Sequence, residues 1–113
     1  MKLHILSDLH FEYDTEFKVP QTDADVLILA GNISPGLNGL ARFARSSLPV
    51  IYVPGNHEFY GETIHALPAA MRLLARGSSI HLLDNDELQL GGVRFLGTTL
   101  WTVPPNSQGY LLL

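Results

Sequence analysis

The hydrophobic and polar positions in the first half of the chain repeat one pattern three times: a short apolar run ends in a polar cluster. A strand buried in a parallel sheet is a nearly continuous apolar run. The carboxyl ends of such strands meet at one edge of the sheet, where α/β proteins bind their ligands. We therefore predict three parallel strands that end in the clusters Asp8-Leu9-His10, Gly31-Asn32 and Pro54-Gly55-Asn56-His57-Glu58.

The rest of the chain alternates between helical and strand patterns. Apolar residues recur at helical spacing over 37–47, and again from about Leu67 to Gly77, which is a suitable C-terminal cap. The dipeptide Gly91-Gly92 between two apolar segments is typical of a two-residue hairpin turn. We therefore predict an α/β fold in which βαβ units precede a β-hairpin. The predicted strands are 2–7, 25–30, 50–53, 79–83, 87–90 and 93–96.

Five side chains in the polar clusters carry donor atoms that suit divalent metal ions. Carboxylate oxygens, amide oxygens and imidazole nitrogens are ligands of hard and borderline cations. If the three strands end at one rim, these side chains come together there. The five are Asp8, His10, Asn32, Asn56 and His57.

The order and spacing of these clusters resemble the signature of the calcineurin-like metallophosphoesterases, which is DxH, then GD, then GNH[DE]. The resemblance spans essentially the whole chain, and it implies part of a β-sandwich flanked by helices. It also implies a phosphoester substrate and two divalent metal ions of the Mn, Fe, Zn, Ni or Mg class. In that family's pattern, Asp8 and His10 would bind the first ion, Asn32 would bridge both, and Asn56 would bind the second. His57 would be the catalytic residue, as a general acid or as a clamp on the phosphate.

Two departures from that signature bear on activity. The bridging position carries Asn32 where the family has aspartate, and an amide oxygen is a neutral ligand that bridges two cations poorly. The chain also lacks the family's later GHxH-like motif. The sequence is irregular at 104–107 and ends in an apolar run at 111–113. We therefore expect residues 1–113 to be the N-terminal part of a phosphoesterase domain that is truncated at Leu113. Phosphoesterase activity is expected to be impaired.

The composition of the chain argues against several kinds of partner, covalent link and cellular location. A net charge of −4 argues against non-specific nucleic-acid binding, and the absence of cysteine excludes disulfides and thiolate metal sites. The N-terminus lacks the apolar core of a signal peptide, and no apolar run reaches the ~20 residues of a membrane span. We expect a cytoplasmic protein without membrane contact, able to self-associate through an exposed sheet edge.

Simpler explanations exist for the same residues. An asparagine after a glycine, as at Asn32, is also typical of a turn, because asparagine tolerates positive φ. Glu58 is expected either to lie behind the ligands or to face solvent, and Glu12 belongs to an acidic loop that is expected to be merely solvated. The alternative function is a non-catalytic remnant or interaction module that keeps the half-fold. A nucleotide-binding domain ranks last, because the phosphate-binding glycine pattern is missing.

Overall fold

The structure is a computed structural model that describes residues 1–101. Six strands, two α-helices and one 3₁₀ helix make up this part of the chain. In chain order they are β1 Leu3–Leu6, β2 Val26–Ala30, α1 Asn38–Phe43, β3 Val50–Val53, the 3₁₀ helix Asn56–Phe59, α2 Ala66–Ala75, β4 Ile80–Leu82, β5 Asp86–Leu90 and β6 Val93–Gly97. The mixed α/β class and every predicted strand are confirmed, and both ends of each strand lie within one residue of the prediction.

The first four strands form one parallel sheet in the order β1-β2-β3-β4. Leu6 pairs with Leu29 at the end of β1, and Ala30 pairs with Val53 at the ends of β2 and β3. Because neighbouring strands point the same way, the loops that follow β1, β2 and β3 emerge at the same edge of the sheet. The three polar clusters are thereby brought to one rim.

Both faces of the central strands are buried, which explains their continuous apolar sequence. Leu29 and Tyr52 lie in the larger core, which also contains residues of both helices, such as Leu40 and Met71. On the opposite face, Ile51 belongs to a second cluster that is covered by the hairpin. Residues of this smaller cluster and its covering are Val26, Ile28, Ile51, Val53, Leu83, Leu88, Leu90 and Phe95.

Strand β1 at the sheet edge is less well covered. Leu3 and Ile5 lie on the hairpin side of the sheet, next to their register partners Val26 and Ile28 in β2. They are nevertheless 40% and 60% exposed. An exposed apolar strip on an edge strand is a site where another chain can pair. The expected exposed edge is thus present among the described residues.

Helix α1 is shorter than the 37–47 predicted from apolar spacing. After Phe43 the hydrogen-bond pattern changes from that of an α-helix to that of a tighter turn, because the Ala44 amide donates to the Ala41 carbonyl three residues back. The Ser46 hydroxyl then accepts a hydrogen bond from the Leu48 amide, a local bond that competes with helix continuation. Helix α2 begins one residue before the predicted Leu67.

The hairpin turn matches the prediction. Gly91 and Gly92 both have positive φ, 57° and 78°, as a turn matched to the twist of a hairpin requires. Gly91 also approaches the Met1 side chain, so the hairpin tip lies at the amino end of β1, away from the polar rim. The expectations for 104–107 and 111–113 lie outside the described residues.

Candidate functional site

The rim is built from backbone in an uncommon conformation. Asp8, His10 and Asn32 all have positive φ, at 56°, 49° and 56°. Non-glycine residues visit this region rarely and at an energetic cost, and such residues cluster at functional sites. The Asp8 amide donates to the Gly31 carbonyl at 2.9 Å, and the His10 amide donates to the Asn32 carbonyl at 3.1 Å. The first loop is therefore fixed along the second.

The Asn32 side chain connects all three loops. Its Oδ1 accepts a hydrogen bond from the His57 amide at 3.0 Å, and its Nδ2 donates to Asp8 Oδ1 at 2.9 Å. The His57 N–H identifies which amide atom is the oxygen, because a donor must face an acceptor. The hydrogen bond from Asn32 is the largest cause that lowers the pKa of Asp8, with smaller contributions from Ser7 and His10. Asp8 is therefore a carboxylate at neutral pH.

Glu58 lies beneath the rim as a fully buried carboxylate. It accepts five hydrogen bonds from two of the loops and the core. Oε1 accepts from the amides of Asn32 and Gly55, each at 2.8 Å. Oε2 accepts from the Ile33 amide at 2.9 Å, the Ser34 amide at 3.4 Å and the Tyr52 hydroxyl at 2.7 Å. Of the two locations proposed from the sequence, the solvent-facing one is wrong.

Tyr52 completes the buried network around Glu58. Burial, followed by the charge of Glu58, raises the pKa of the Tyr52 hydroxyl far above its usual range. The phenol therefore stays protonated and donates to the carboxylate. A buried charge that is surrounded by donors in this way stabilises one arrangement of the chain, because loss of any partner leaves an unsatisfied polar group.

Two glycines allow the second and third loops to pack closely. A Cβ added to Gly31 would lie 3.2 Å from the Gly55 Cα, and Gly31 also has φ +88°. A Cβ added to Gly55 would overlap the Asn32 amide group, lying 2.6 Å from its backbone nitrogen. The glycine in each of these clusters is thus explained by backbone approach at the rim.

Asp8, His10 and Glu12 form a chain of contacts on the first loop. His10 Nε2 lies 3.6 Å from Asp8 Oδ1, and His10 Nδ1 lies 2.8 Å from Glu12 Oε1. Donor atoms of His10, Glu12 and His57 also lie within 4.8 Å of one another. The expectation that Glu12 is merely solvated is wrong, because its carboxylate is bonded to the His10 ring.

His57 packs directly against the first loop. Its ring centroid is 5.0 Å from that of His10, with the planes at 71° in an edge-to-face arrangement. Nε2 is 3.1 Å from the Tyr60 hydroxyl, whereas Nδ1 is buried and has no hydrogen-bond partner among the described residues. A buried polar atom without a hydrogen-bond partner is explained when a ligand or a water molecule binds there. The side chains around this atom are of the kinds that bind metal ions.

The structure therefore brings four of the five sequence-predicted residues into direct contact with one another. Asp8, His10, Asn32 and His57 are connected by the hydrogen bonds and ring contact above. Asn56 makes no such contact, but it lines a depression of about 280 Å³ together with Asn32. The sequence reasoning missed the roles of Glu12 and Glu58. The spacing of Glu12 two residues after His10 was a usable signal. Three of the five partners of Glu58 are 24–26 positions away in sequence.

Comparison with known proteins identifies the family. The calcineurin-like phosphoesterase family matches residues 1–104, which is most of the chain, and the protein belongs to this family. The chain is also similar to an uncharacterized protein, L509, of Acanthamoeba polyphaga mimivirus, with 28% identity over 123 aligned positions. That alignment covers 88% of this chain but 44% of the relative, so the chain spans less than half of the relative's length.

Members of this family typically bind divalent metal ions. The donor set at the rim fits such an ion in chemistry, since it combines carboxylate, imidazole and amide groups. Within residues 1–101, the helices are all too short or too polar to cross a membrane.

Proposed function

We propose that this protein is a metal-dependent phosphoesterase in which Asp8 and His10 bind one divalent ion. The supporting observation is the 3.6 Å separation of Asp8 Oδ1 and His10 Nε2. Two donors on one ion with bonds near 2.1 Å are roughly 3–3.4 Å apart, so a small rotation of either side chain would suffice. No large movement of the loops is needed.

Asn56 and His57 would complete the site from the third loop. The Asn56 amide oxygen would bind a second ion, next to Asn32 in the shared depression. His57 would donate a proton to the leaving group or a hydrogen bond to the phosphate, a role that an imidazole can fill. Because Nδ1 is buried, this role falls to Nε2, which the Tyr60 hydroxyl now contacts.

Asn32 fits the bridging role poorly. Its Nδ2 faces Asp8 and cannot ligate, and its Oδ1 already accepts the His57 amide. The rim then lacks the negative charge that would offset repulsion between two cations. Two near-octahedral ions would also need about twelve ligand positions, far more than these side chains supply. We infer that the first site is occupied more tightly than the second, and that activity is low.

When bound, the ions would lower the pKa of an attacking water and neutralise charge on the phosphate. The contribution of this chain's own residues is to place the ligands before substrate arrives. Glu58 and the two glycines fix the loops, and Asn32 sets the distance between Asp8 and the His57 backbone. The substrate class is a phosphomonoester or phosphodiester.

Hydrolysis of bis(p-nitrophenyl) phosphate, an aryl diester, tests this proposal. We expect a slow rate that requires Mn²⁺ and disappears in EDTA. Asp8→Asn should reduce the rate more than tenfold. Asp14→Asn, an exposed aspartate on the same loop, is the matched control and should leave it unchanged. A rate that persists in EDTA, or that Asp8→Asn leaves intact, would contradict the proposal.

A non-catalytic interaction module is the second candidate, and Asn32 favours it. The Asn32 amide joins the three loops by hydrogen bonds, and a neutral amide at this position offsets none of the repulsion between two cations. An absence of Mn²⁺-dependent turnover in both the natural chain and Asn32→Asp would support this candidate over the phosphoesterase.

A further inference from the structure

Glu12 contacts His10 at Nδ1, the ring nitrogen other than the one nearest Asp8. Its Oε1 is 2.8 Å from His10 Nδ1, while His10 Nε2 is 3.6 Å from Asp8 Oδ1. The two nitrogens of one imidazole are thus directed at two different carboxylates. Both the Glu12 and His10 side chains are about three-quarters buried, at 23% and 25% exposure, which favours a persistent contact.

The Glu12 contact determines which nitrogen of His10 carries the proton. An ionised carboxylate only accepts hydrogen bonds, so the Nδ1 beside it must donate. In the neutral imidazole, Nε2 is then left with its lone pair free. That lone pair is on the side of Asp8, where the proposed metal site lies. A carboxylate behind a ligating histidine is a common arrangement that orients the ring and raises its basicity.

Direct metal binding by Glu12 is the competing interpretation, because donor atoms of His10, Glu12 and His57 lie within 4.8 Å of one another. The distances argue against it. At 2.8 Å from a ring nitrogen, Glu12 Oε1 is already at hydrogen-bond distance. A metal ion between these two atoms would replace the proton of this hydrogen bond, whereas no hydrogen bond occupies the 3.6 Å space between His10 Nε2 and Asp8 Oδ1. Asp8, by contrast, has an exposed carboxylate beside the free nitrogen.

We propose that Glu12 is a positioning residue, which fixes His10 as the Nδ1–H tautomer and directs Nε2 toward the ion shared with Asp8. The part of this inference that concerns metal rests on the proposed function. The part that concerns the tautomer rests only on the Glu12–His10 contact, and it holds for the metal-free chain.

Two-bond ¹H–¹⁵N correlation spectra of the metal-free chain test the tautomer. We expect the natural protein to show His10 with a protonated Nδ1 and an unprotonated Nε2. Glu12→Gln keeps an oxygen that can accept from Nδ1, so the same tautomer should persist. Glu12→Ala should give a mixture or the opposite tautomer. Unchanged His10 signals in Glu12→Ala would overturn the proposal.

Titration with Mn²⁺ by calorimetry separates positioning from direct ligation. Loss of such a supporting carboxylate typically weakens metal binding about 10–100-fold, so this is the expected effect of Glu12→Ala. Glu12→Gln should lose only a few-fold. Equal, severe losses in both variants would mean that Glu12 ligates the metal itself and would overturn the proposal. Glu16→Ala, an exposed glutamate on the same loop, is the control and should bind like the natural chain.

These two measurements fail independently. If the natural chain binds no Mn²⁺, the proposed function fails, yet the spectra still decide whether Glu12 selects the tautomer. If Mn²⁺ binds and Glu12→Ala binds it equally well, the proposed function stands and the role of Glu12 is refuted.

Discussion

Replacement of Glu58 by glutamine tests whether one buried carboxylate organises the rim. Glu58→Gln keeps the shape of the side chain but leaves a single acceptor oxygen where five donors converge. If the amide nitrogen takes the place of Oε1, it faces the amides of Asn32 and Gly55. If it takes the place of Oε2, it faces the amides of Ile33 and Ser34. Two backbone N–H groups lose their acceptor in either orientation.

The size of this effect can be worked from those contacts. A buried donor without a partner costs about 1–3 kcal/mol, so two cost about 2–6 kcal/mol. Removal of a desolvated charge offsets part of this. We expect a net loss of about 2–4 kcal/mol, out of a total stability of about 5–15 kcal/mol for a typical domain. The melting temperature should fall by roughly 10–30 °C.

Urea unfolding provides the assay, and the chain contains its own reporter. Its single tryptophan, Trp101, packs against Phe59, the neighbour of Glu58, with ring centroids 5.0 Å apart. Trp101 fluorescence should therefore report unfolding of the rim, and circular dichroism should report unfolding of the whole domain. Glu16→Gln, an exposed glutamate, is the control and should change stability by less than about 0.5 kcal/mol. A Glu58→Gln midpoint equal to that of the control would refute the reasoning.

Three further predictions follow from the same contacts. Asn32→Asp places a second carboxylate oxygen beside Asp8, so the melting temperature of this variant should fall in EDTA and recover in Mn²⁺. The variant should bind Mn²⁺ slightly more tightly than the natural chain and show hardly more turnover. A melting temperature in EDTA equal to that of the natural chain would count against this prediction. Gly55→Ala should cost about 1–3 kcal/mol in urea unfolding, since its Cβ overlaps Asn32, and a neutral result would show that the loops relax freely. The natural chain should self-associate in sedimentation velocity through the exposed strip of Leu3 and Ile5 on β1. Ile5→Lys should make it monomeric, while Leu73→Lys, at an equally exposed site on α2, should not.

The sheet and the position of the rim were predictable because they depend on local pattern. Val26–Ala30 and Val50–Val53 are apolar throughout, since their strands are covered on both faces, and a parallel sheet then places the following loops together. The length of α1 was not predictable from apolar spacing. It ends early because the bonds around Ala44 and Ser46 compete with the helix.

The network behind the rim was less accessible from sequence. Glu58 accepts from residues 24–26 positions away, and only the folded chain shows that they surround it. Asn32 was expected to be either a weak ligand or a turn residue. In the structure it has the positive φ of a turn residue, and its side chain is a link between loops. Such long-range hydrogen bonds have no periodicity to reveal them.

Paramagnetic broadening by Mn²⁺ tests most directly whether the three loops form one metal-binding rim. At substoichiometric Mn²⁺, the amide signals of Asp8, Asn32 and Asn56 should weaken together in a ¹H–¹⁵N spectrum. The hairpin tip at Gly92, at the opposite end of the sheet, should keep its signal. Uniform broadening would contradict the account, and so would broadening centred on Asp23 and Asp25 near the amino end of β2.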